Sequence, residues 1–464
     1  MRGHPQDLSL REQARAIDAG ELDATELLEA TLARIEERDR ALNSIVDRFA
    51  IESAQMLSEA REGPLHGVPV AVKDMFNLPW RAPRDGAPRS LSGMAPGEST
   101  VFRRLRDAGA VIVGVTNMHE FGLGSTGHIS VYGPSANPWD PARCAGGSSG
   151  GSGAAVAARL VAGAVGSDGG GSIRYPASYC GVTGLKFTWG QLPGEGYTSG
   201  YSTMSTGGPM CRDAADTRLL GEVLLGRPFS TRRTAGLRVG VVPALWSDLD
   251  AGVEARCREA VDALRDGGVE VMEVELEALE HVRIATVIQL PLEGSAAAKP
   301  GVFADIQDRV SPVGRALAKY QLLMPAAAAA RTRVVRAQLR RSVARAFERV
   351  DALAWPATPA PAPPIENPTV ELPSGRAPAD QGNLRQTGFG NLTGLPGISV
   401  PVGLHSSGLP AGLQLLAPWN EDERLLDLAE LLEQQTGRRH VEVLPPVAEA
   451  SGSEHALDGE QIVR

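Results

Sequence analysis

The sequence predicts an α/β protein built as one large domain, with a mixed, largely parallel central sheet and helices on both of its faces. Three observations carry this expectation. Buried-strand runs such as "HGVPVAVKD" (66–74) alternate with helix patterns such as "STVFRRLRDAG" (99–109), the grammar of parallel strands joined by helical crossovers. Of the 464 residues, 42% are hydrophobic and 22% charged, the balance of a chain that buries a core, and one extended α/β fold accommodates this length. The chain holds 53 glycines and only 5% aromatic residues, a supply of small side chains for close packing.

Taken in order, residues 8–45 place apolar side chains at helical spacing, and Ser9 with Glu12 forms a capping-box pattern, so two helices are expected on the outside of the core. Residues 66–74 read as a buried strand that delivers Lys73 at its end. Residues 99–117 read as a helix, a glycine stop and a second buried strand. "GGSGAAVAARLVAGA" (150–164) is expected to be a small-residue helix, followed by the glycine loop "GSDGGGSIRYP" (166–176). A further helix-and-strand unit is expected over 236–276 and a helical stretch over 311–350. The prolines of "DALAWPATPAPAPPIENP" (351–368) predict an extended loop, and 391–403 with 408–418 predict two strands with tight turns. The domain is expected to span 1–446, with the polar, aperiodic residues 447–464 as a tail.

Composition excludes several functions. The net charge of −9 arises from 46 basic and 55 acidic residues spread along the chain, without a basic stripe for a phosphate backbone, so no nucleic-acid partner is expected. Arginines cluster over 331–349 but alternate with apolar residues at helical spacing, the pattern of a solvated helix face. Cys144, Cys180, Cys211 and Cys257 form neither a CxxC pair nor a group with histidines, so neither zinc nor a disulfide framework is expected. Reduced thiols, an N-terminus lacking an apolar signal core and the absence of a membrane-spanning run predict a cytoplasmic protein without membrane contact. No metal, cofactor or dinucleotide pattern is present, and His119, a lone histidine, reads as a packed residue.

The chemistry-bearing stretch is the glycine loop. Glycines leave backbone N–H groups unshielded, so several can converge on one anionic oxygen. If Ser172 attacks a carbonyl, the N–H groups of Gly169, Gly170, Gly171 and Ser172 sit where the negative oxygen develops. A plain glycine turn before a helix is the simpler alternative. A phosphate loop would require a lysine directly after the glycines, where Ile173 and Arg174 stand instead. A second knot, "GGSSGGSG" (146–153), precedes it at the start of a helix.

Together, residues 146–186 closely resemble the signature segment of the amidase signature family of serine hydrolases. "LHGVPVAVKDMF" upstream resembles the family's lysine strand, and "GPMCRDAADTRLL" and "NLTGLPGISVPVG" downstream resemble later landmarks. The likeness covers most of residues 5–437 and is weakest over 280–330. It implies the single α/β fold described above and a Ser-Ser-Lys triad on Lys73, Ser148 and Ser172. In that triad Ser172 is the nucleophile, Ser148 bridges to the lysine through a cis peptide, and Lys73 is the base. The chemistry is coherent by itself, because a serine needs a base and a lysine serves as one only when burial lowers its pKa. Val70 and Val72 supply such surroundings. Pairing of Lys73 with Asp74 or Asp168 is the structural alternative.

Further residues take supporting parts in this reading. Ser149 and Ser152 are expected to hydrogen-bond the loop, and Asp168 and Arg174 to pair across it. Trp80, Tyr197, Tyr201 and Phe389 are candidates to line a pocket for an aromatic or apolar acyl group, or else to pack beside loops. The expected partner is a small-molecule amide, the expected reaction its hydrolysis, and a homodimer stays open. The family also contains the glutaminase component of the tRNA-dependent amidotransferase, the main alternative, and acyl transfer uses the same acyl-enzyme. A scaffold that lost the chemistry is a third, disfavoured by the presence of all three triad residues. A glutaminase would place an acidic residue shortly before the "TGFGNLTGLPG" segment, and 382–391 contains none. Arg336 aligns loosely with a substrate-region arginine. "DMFNLPWRAPRDGAP" (74–88) departs from the family's threonine-rich turn, which leaves the substrate open.

Overall fold

The computed structural model describes residues 4–88, 97–200, 202–297, 310–437 and 445–446; Tyr201 and the expected tail, 447–464, lie outside them. The chain opens as its sequence predicts. Ser9 and Glu12 cap helix α1 (Leu10–Asp18) reciprocally, and Asp23 caps α2 (Ala24–Arg38) by accepting two backbone N–H groups.

One sheet organises the rest. Its strands are β1 (Ile45–Arg48), β2 (Pro69–Lys73), β3 (Val111–Thr116), β4 (Gly163–Asp168), β5 (Thr183–Lys186), β6 (Thr206–Cys211), β7 (Arg238–Val241), β8 (Glu270–Glu273), β9 (Ala352–Pro356), β10 (Gly397–Leu404) and β11 (Pro410–Leu416). In space they run β1-β3-β2-β4-β6-β5-β10-β11-β9-β7-β8. The sheet is mixed as expected, but four of its ladders are parallel and six antiparallel, so the parallel share is smaller than expected. The cause lies in the middle, where β6 and β5 insert antiparallel and β10–β11 return as a hairpin.

Pleating sends successive side chains to opposite faces, and each face has its own core. Val70 and Val72 of β2 join the larger cluster with Phe102, Leu220, Val253 and Leu425, which come from the helices Thr100–Asp107, Ala214–Leu225, Ala251–Asp266 and Asp422–Thr436. Ala71 of the same strand faces the smaller cluster, with Leu28 and Ile35 of α2, Ala154 of Gly150–Ala157 and Ala177 of Arg174–Cys180. Helices therefore cover both faces.

Two segments depart from the sequence reading. The helix expected over 150–164 stops at Ala157, Arg159 turns with φ 56°, and residues 163–168 become β4, buried along its whole length. In a run of small apolar residues, periodicity does not separate a buried strand from a buried helix. The proline-rich loop likewise begins with β9, whose five residues are all buried between β11 and β7. Pro356 stands at the end of that strand, where a missing N–H is tolerated. The four cysteines are free and buried. Among the described residues no helix is long and apolar enough to cross a membrane.

Candidate active site

β2 and β4 are parallel neighbours, Val70 opposite Gly163 and Val72 opposite Val165, so their carboxyl ends present Lys73 beside Ser167. Lys73 is fully buried. Its Nζ donates to Ser148 Oγ at 2.6 Å and to Ser167 Oγ at 2.8 Å. Burial pushes its ammonium group down to about 7, against the upward pull of the Asp168 and Asp85 carboxylates. Near neutral pH the amine is thus present in both forms.

The first glycine-serine knot is locked onto these strand ends. The Gly147–Ser148 peptide is cis. Ser149 Oγ donates to the Ser167 carbonyl and accepts the Ser167 N–H, both at 3.1 Å, and the Ser149 N–H donates to the Ser172 carbonyl at 3.2 Å. Ser152 Oγ pairs with Thr116 Oγ1 at 2.6 Å. A Cβ on Gly151 would lie 2.4 Å from the Ser44 carbonyl and 2.5 Å from the Asn117 nitrogen, so only glycine permits this approach.

The second knot is built around a buried ion pair. Arg174 holds Asp168 bidentately, Nε to Oδ2 at 2.9 Å and Nη2 to Oδ1 at 3.0 Å, with both side chains fully buried. Burial alone would raise the Asp168 carboxyl, but the Arg174 guanidinium outweighs it and holds the group well below the usual carboxylate range. Asp168 also accepts the N–H groups of Gly171 at 2.7 Å and Ile173 at 3.2 Å. This corrects the expected oxyanion set, because the Gly171 amide is committed to a carboxylate. Among the described residues no hydrogen bond takes up the N–H groups of Gly169, Gly170 or Ser172. Gly171 serves the bend instead. Its φ is +131°, and a Cβ there would lie 2.2 Å from Thr387 Oγ1.

Ser172 lines a cleft with about 730 Å³ of empty space, part of it open to solvent. Ser148, Ser167 and Gly169 share this wall with Asp85, Phe121 and Glu293. Ser172 is 6% exposed, and its hydroxyl makes no hydrogen bond among the described residues. The Lys73–Ser148 leg of the expected relay is therefore formed, and the Ser148–Ser172 leg is open.

The expected aromatic pocket is corrected. Phe389 is fully buried against Trp355, and Trp80 packs edge-on between Phe49 and Phe102, both of them core positions. Tyr197 stacks on Phe76, and its hydroxyl pairs with Ser205 in a neighbouring hollow. Large flat rings bury more area inside the core than at a cleft rim, and these went inward. Phe121, which the sequence did not single out, lines the cleft. Sequence reading also passed over Ser167, legible only from the β2–β4 register, and Asp85, which lies in the departing segment 74–88. The helix Val282–Ala297, in the stretch of weakest resemblance, contributes Leu290 and Glu293 to the wall.

Two other candidates do not line the cleft. His119 is buried, its ring 5.5 Å from that of His128, and burial pushes its pKa down. Arg336 donates to the Leu392 carbonyl at 2.9 Å, to Thr203 Oγ1 at 2.6 Å and to the Thr203 carbonyl at 3.1 Å.

A mixed sheet that carries a buried lysine, two serines and two glycine knots at one cleft defines an amidase-type α/β enzyme. The chain belongs to the amidase family, whose model matches residues 26–426. It is 34% identical to the A-subunit of the glutamyl-tRNA(Gln) amidotransferase of Methylococcus capsulatus, over 92% of this chain and 97% of that one. A crystal structure of an amidase superimposes with a TM-score of 0.86 at 32% identity, covering 92% of this chain and 100% of the other. A 6-aminohexanoate cyclic dimer hydrolase superimposes with a TM-score of 0.81 at 28% identity, covering 95% and 99%.

Proposed function

We propose that this protein is a stand-alone cytoplasmic amidohydrolase that cleaves a small carboxylic amide through an acyl-enzyme on Ser172. The observation that carries the reading is the fully buried Lys73 amine, 2.6 Å from Ser148 Oγ in a cleft that Ser172 also lines. Neutral Lys73 accepts the Ser172 proton through Ser148 as Ser172 Oγ bonds to the carbonyl carbon. The uncommitted amides of Gly169, Gly170 and Ser172 take the developing oxyanion. The proton returns by the same route to the departing nitrogen as the C–N bond breaks. Water then enters: its proton passes to Lys73 as its oxygen bonds to the acyl carbon, and a proton returns through Ser148 to Ser172 Oγ as the ester C–O bond breaks, releasing the acid and leaving Lys73 neutral.

The test is intact-mass spectrometry after a fluorophosphonate, on wild type and on Ser172→Ala, followed by a panel of amides. One adduct on wild type that maps to Ser172 and is absent from the variant supports the reading. Folded wild type that takes no adduct overturns it.

Similarity to the amidotransferase components supports a second reading, a glutaminase that hands ammonia to a partner. Free glutamine carries an α-carboxylate, which calls for a cation in the cleft. Among the described residues no Lys, Arg or His lines it, and Arg336, 3.9 Å from the wall residue Glu293, is engaged with that carboxylate, Thr203 and Leu392. Release of ammonia from glutamine by the isolated chain at rates matching its best amide would reverse the preference.

A further inference from the structure

Ser172 stands where two lobes of the cleft meet, and the lobes differ in chemistry. One is the polar wall of Ser148, Ser167 and Asp85. The other, with about 660 Å³ of empty space, is lined by Val287, Pro291 and Leu384, with Leu123 and Leu290 at the border that the two lobes share. Only the polar lobe contains Ser148 and Ser167, the two partners of the Lys73 amine. A departing nitrogen must meet its proton there. The acyl arm, on the opposite side of the carbonyl carbon, then extends into the apolar lobe.

One charged residue stands in that apolar lobe. Asp380, partly buried in the first turn of the helix Ala379–Thr393, accepts the N–H of Ser125 at 2.7 Å and its Oγ at 2.6 Å, both on Oδ1. Its Oδ2 has no hydrogen-bond partner, and the carboxylate no ion-pair partner, among the described residues. Nor does any described Lys, Arg or His line either lobe. The basic rings whose charge Asp380 influences, His119 and His128, are held below their ordinary pKa by burial and stay neutral at pH 7, so they do not offset it. A carboxylate at the wall of an apolar lobe, bound on one oxygen only, presents the other to a cation.

We propose that Asp380 is a specificity-determining residue, selecting amides whose acyl arm is a short apolar chain that ends in a cation. The proposal rests on the amidohydrolase reading above. It assigns Val287, Pro291 and Leu384 to the chain and the free oxygen of Asp380 to the charge.

The test uses two fluorophosphonates of matched shape, one ending in a tert-butyl group and the other in trimethylammonium. The second-order rate constant for labelling Ser172 is read for each, and their ratio is taken within each protein variant. Wild type is expected to favour the cationic reagent by about tenfold, with the preference shrinking as salt rises. Asp380→Asn retains the Oδ1 acceptor for Ser125 and is expected to bring the ratio to about one. If that variant does not fold, Leu384→Lys is read in its place, since a cation built into the lobe must erase or invert the preference. A wild-type ratio near one, or a preference that survives these variants, overturns the assignment of Asp380 while labelling of Ser172 leaves the hydrolase reading standing. Absence of labelling of folded wild type by either reagent overturns the hydrolase reading and this proposal with it.

Discussion

Two lysines in this molecule have nearly the same electrostatic condition and opposite surroundings. Lys73, at the end of β2, and Lys186, at the end of β5, are both fully buried, and burial pushes each down to about 7. The Lys186 Nζ donates to two backbone carbonyls, Leu395 at 2.6 Å and Phe187 at 3.1 Å. Carbonyls only accept, so this amine is a fixed donor that pins two strand ends. The partners of Lys73 are hydroxyls, which both accept and donate, and both hydroxyl-bearing residues line the cleft. A depressed lysine pKa is thus no signature of catalysis. The chemistry of the partners and their access to a cleft separate the two sites.

Exchanging each lysine for methionine is the strongest way to break this comparison. Lys73→Met is expected to lower kcat/KM for the best amide by about 10³-fold while the protein stays folded, as read by steady-state kinetics and circular dichroism. Lys186→Met leaves two buried carbonyls unpaired and is expected to cost about 1–3 kcal/mol in denaturant unfolding, with kcat/KM per folded molecule unchanged. Equal losses of activity in the two variants would erase the distinction.

The pH dependence sharpens it. Activity needs neutral Lys73, so kcat/KM is expected to rise through about pH 7 to a plateau, and Lys186→Met should retain that limb. Stability follows a second rule. Both lysines have folded-state pKa values far below the unfolded value, so between about pH 7 and pH 10.5 the unfolded chain binds more protons and stability rises with pH. Below about 7 both states are protonated and this contribution is flat. The difference in unfolding free energy between wild type and Lys186→Met is expected to climb by about 1.4 kcal/mol per pH unit in that window. A difference that stays level would mean that Lys186 is charged in the fold.

The smallest expected effect is at Ser167. Ser167→Ala removes one of the two hydroxyls that fix the Lys73 amine but leaves Ser148, so a loss of about threefold to tenfold in kcat is expected. The midpoint of the pH limb should shift as well, a readout that loosened packing alone would not move.

Much of the fold was legible because it is written in contiguous residues. The capping box at Ser9 and Glu12, the valine run ending at Lys73 and the late strands β10 and β11 all appear where local pattern places them. β4 and β9 did not, since a small-residue run and a proline-rich run carry no period that marks a buried strand. The helix Ala379–Thr393 was missed for a related reason. Its buried face includes Asn383, Thr387 and Asn391, polar residues satisfied by tertiary hydrogen bonds rather than an apolar stripe.

The candidate site divides along the same line. Residue order alone set which groups are available for chemistry: a lysine at a strand end, serines between glycines, and bare amides in front of Ser172. Those are properties of residue type and near neighbours, where glycine alone tolerates the backbone and a hydroxyl alone relays a proton. Folding selected which of them meet and under what conditions. The β2–β4 register set Ser167 beside Lys73, burial lowered the lysine, and the Asp168 carboxylate withdrew the Gly171 amide. It also sent Phe389 into the core and Trp80 against it, and brought Asp85, Leu290 and Asp380, drawn from distant parts of the chain, to one cleft around Ser172. Distance, burial and charge compensation depend on segments remote in the chain, and no local pattern encodes them.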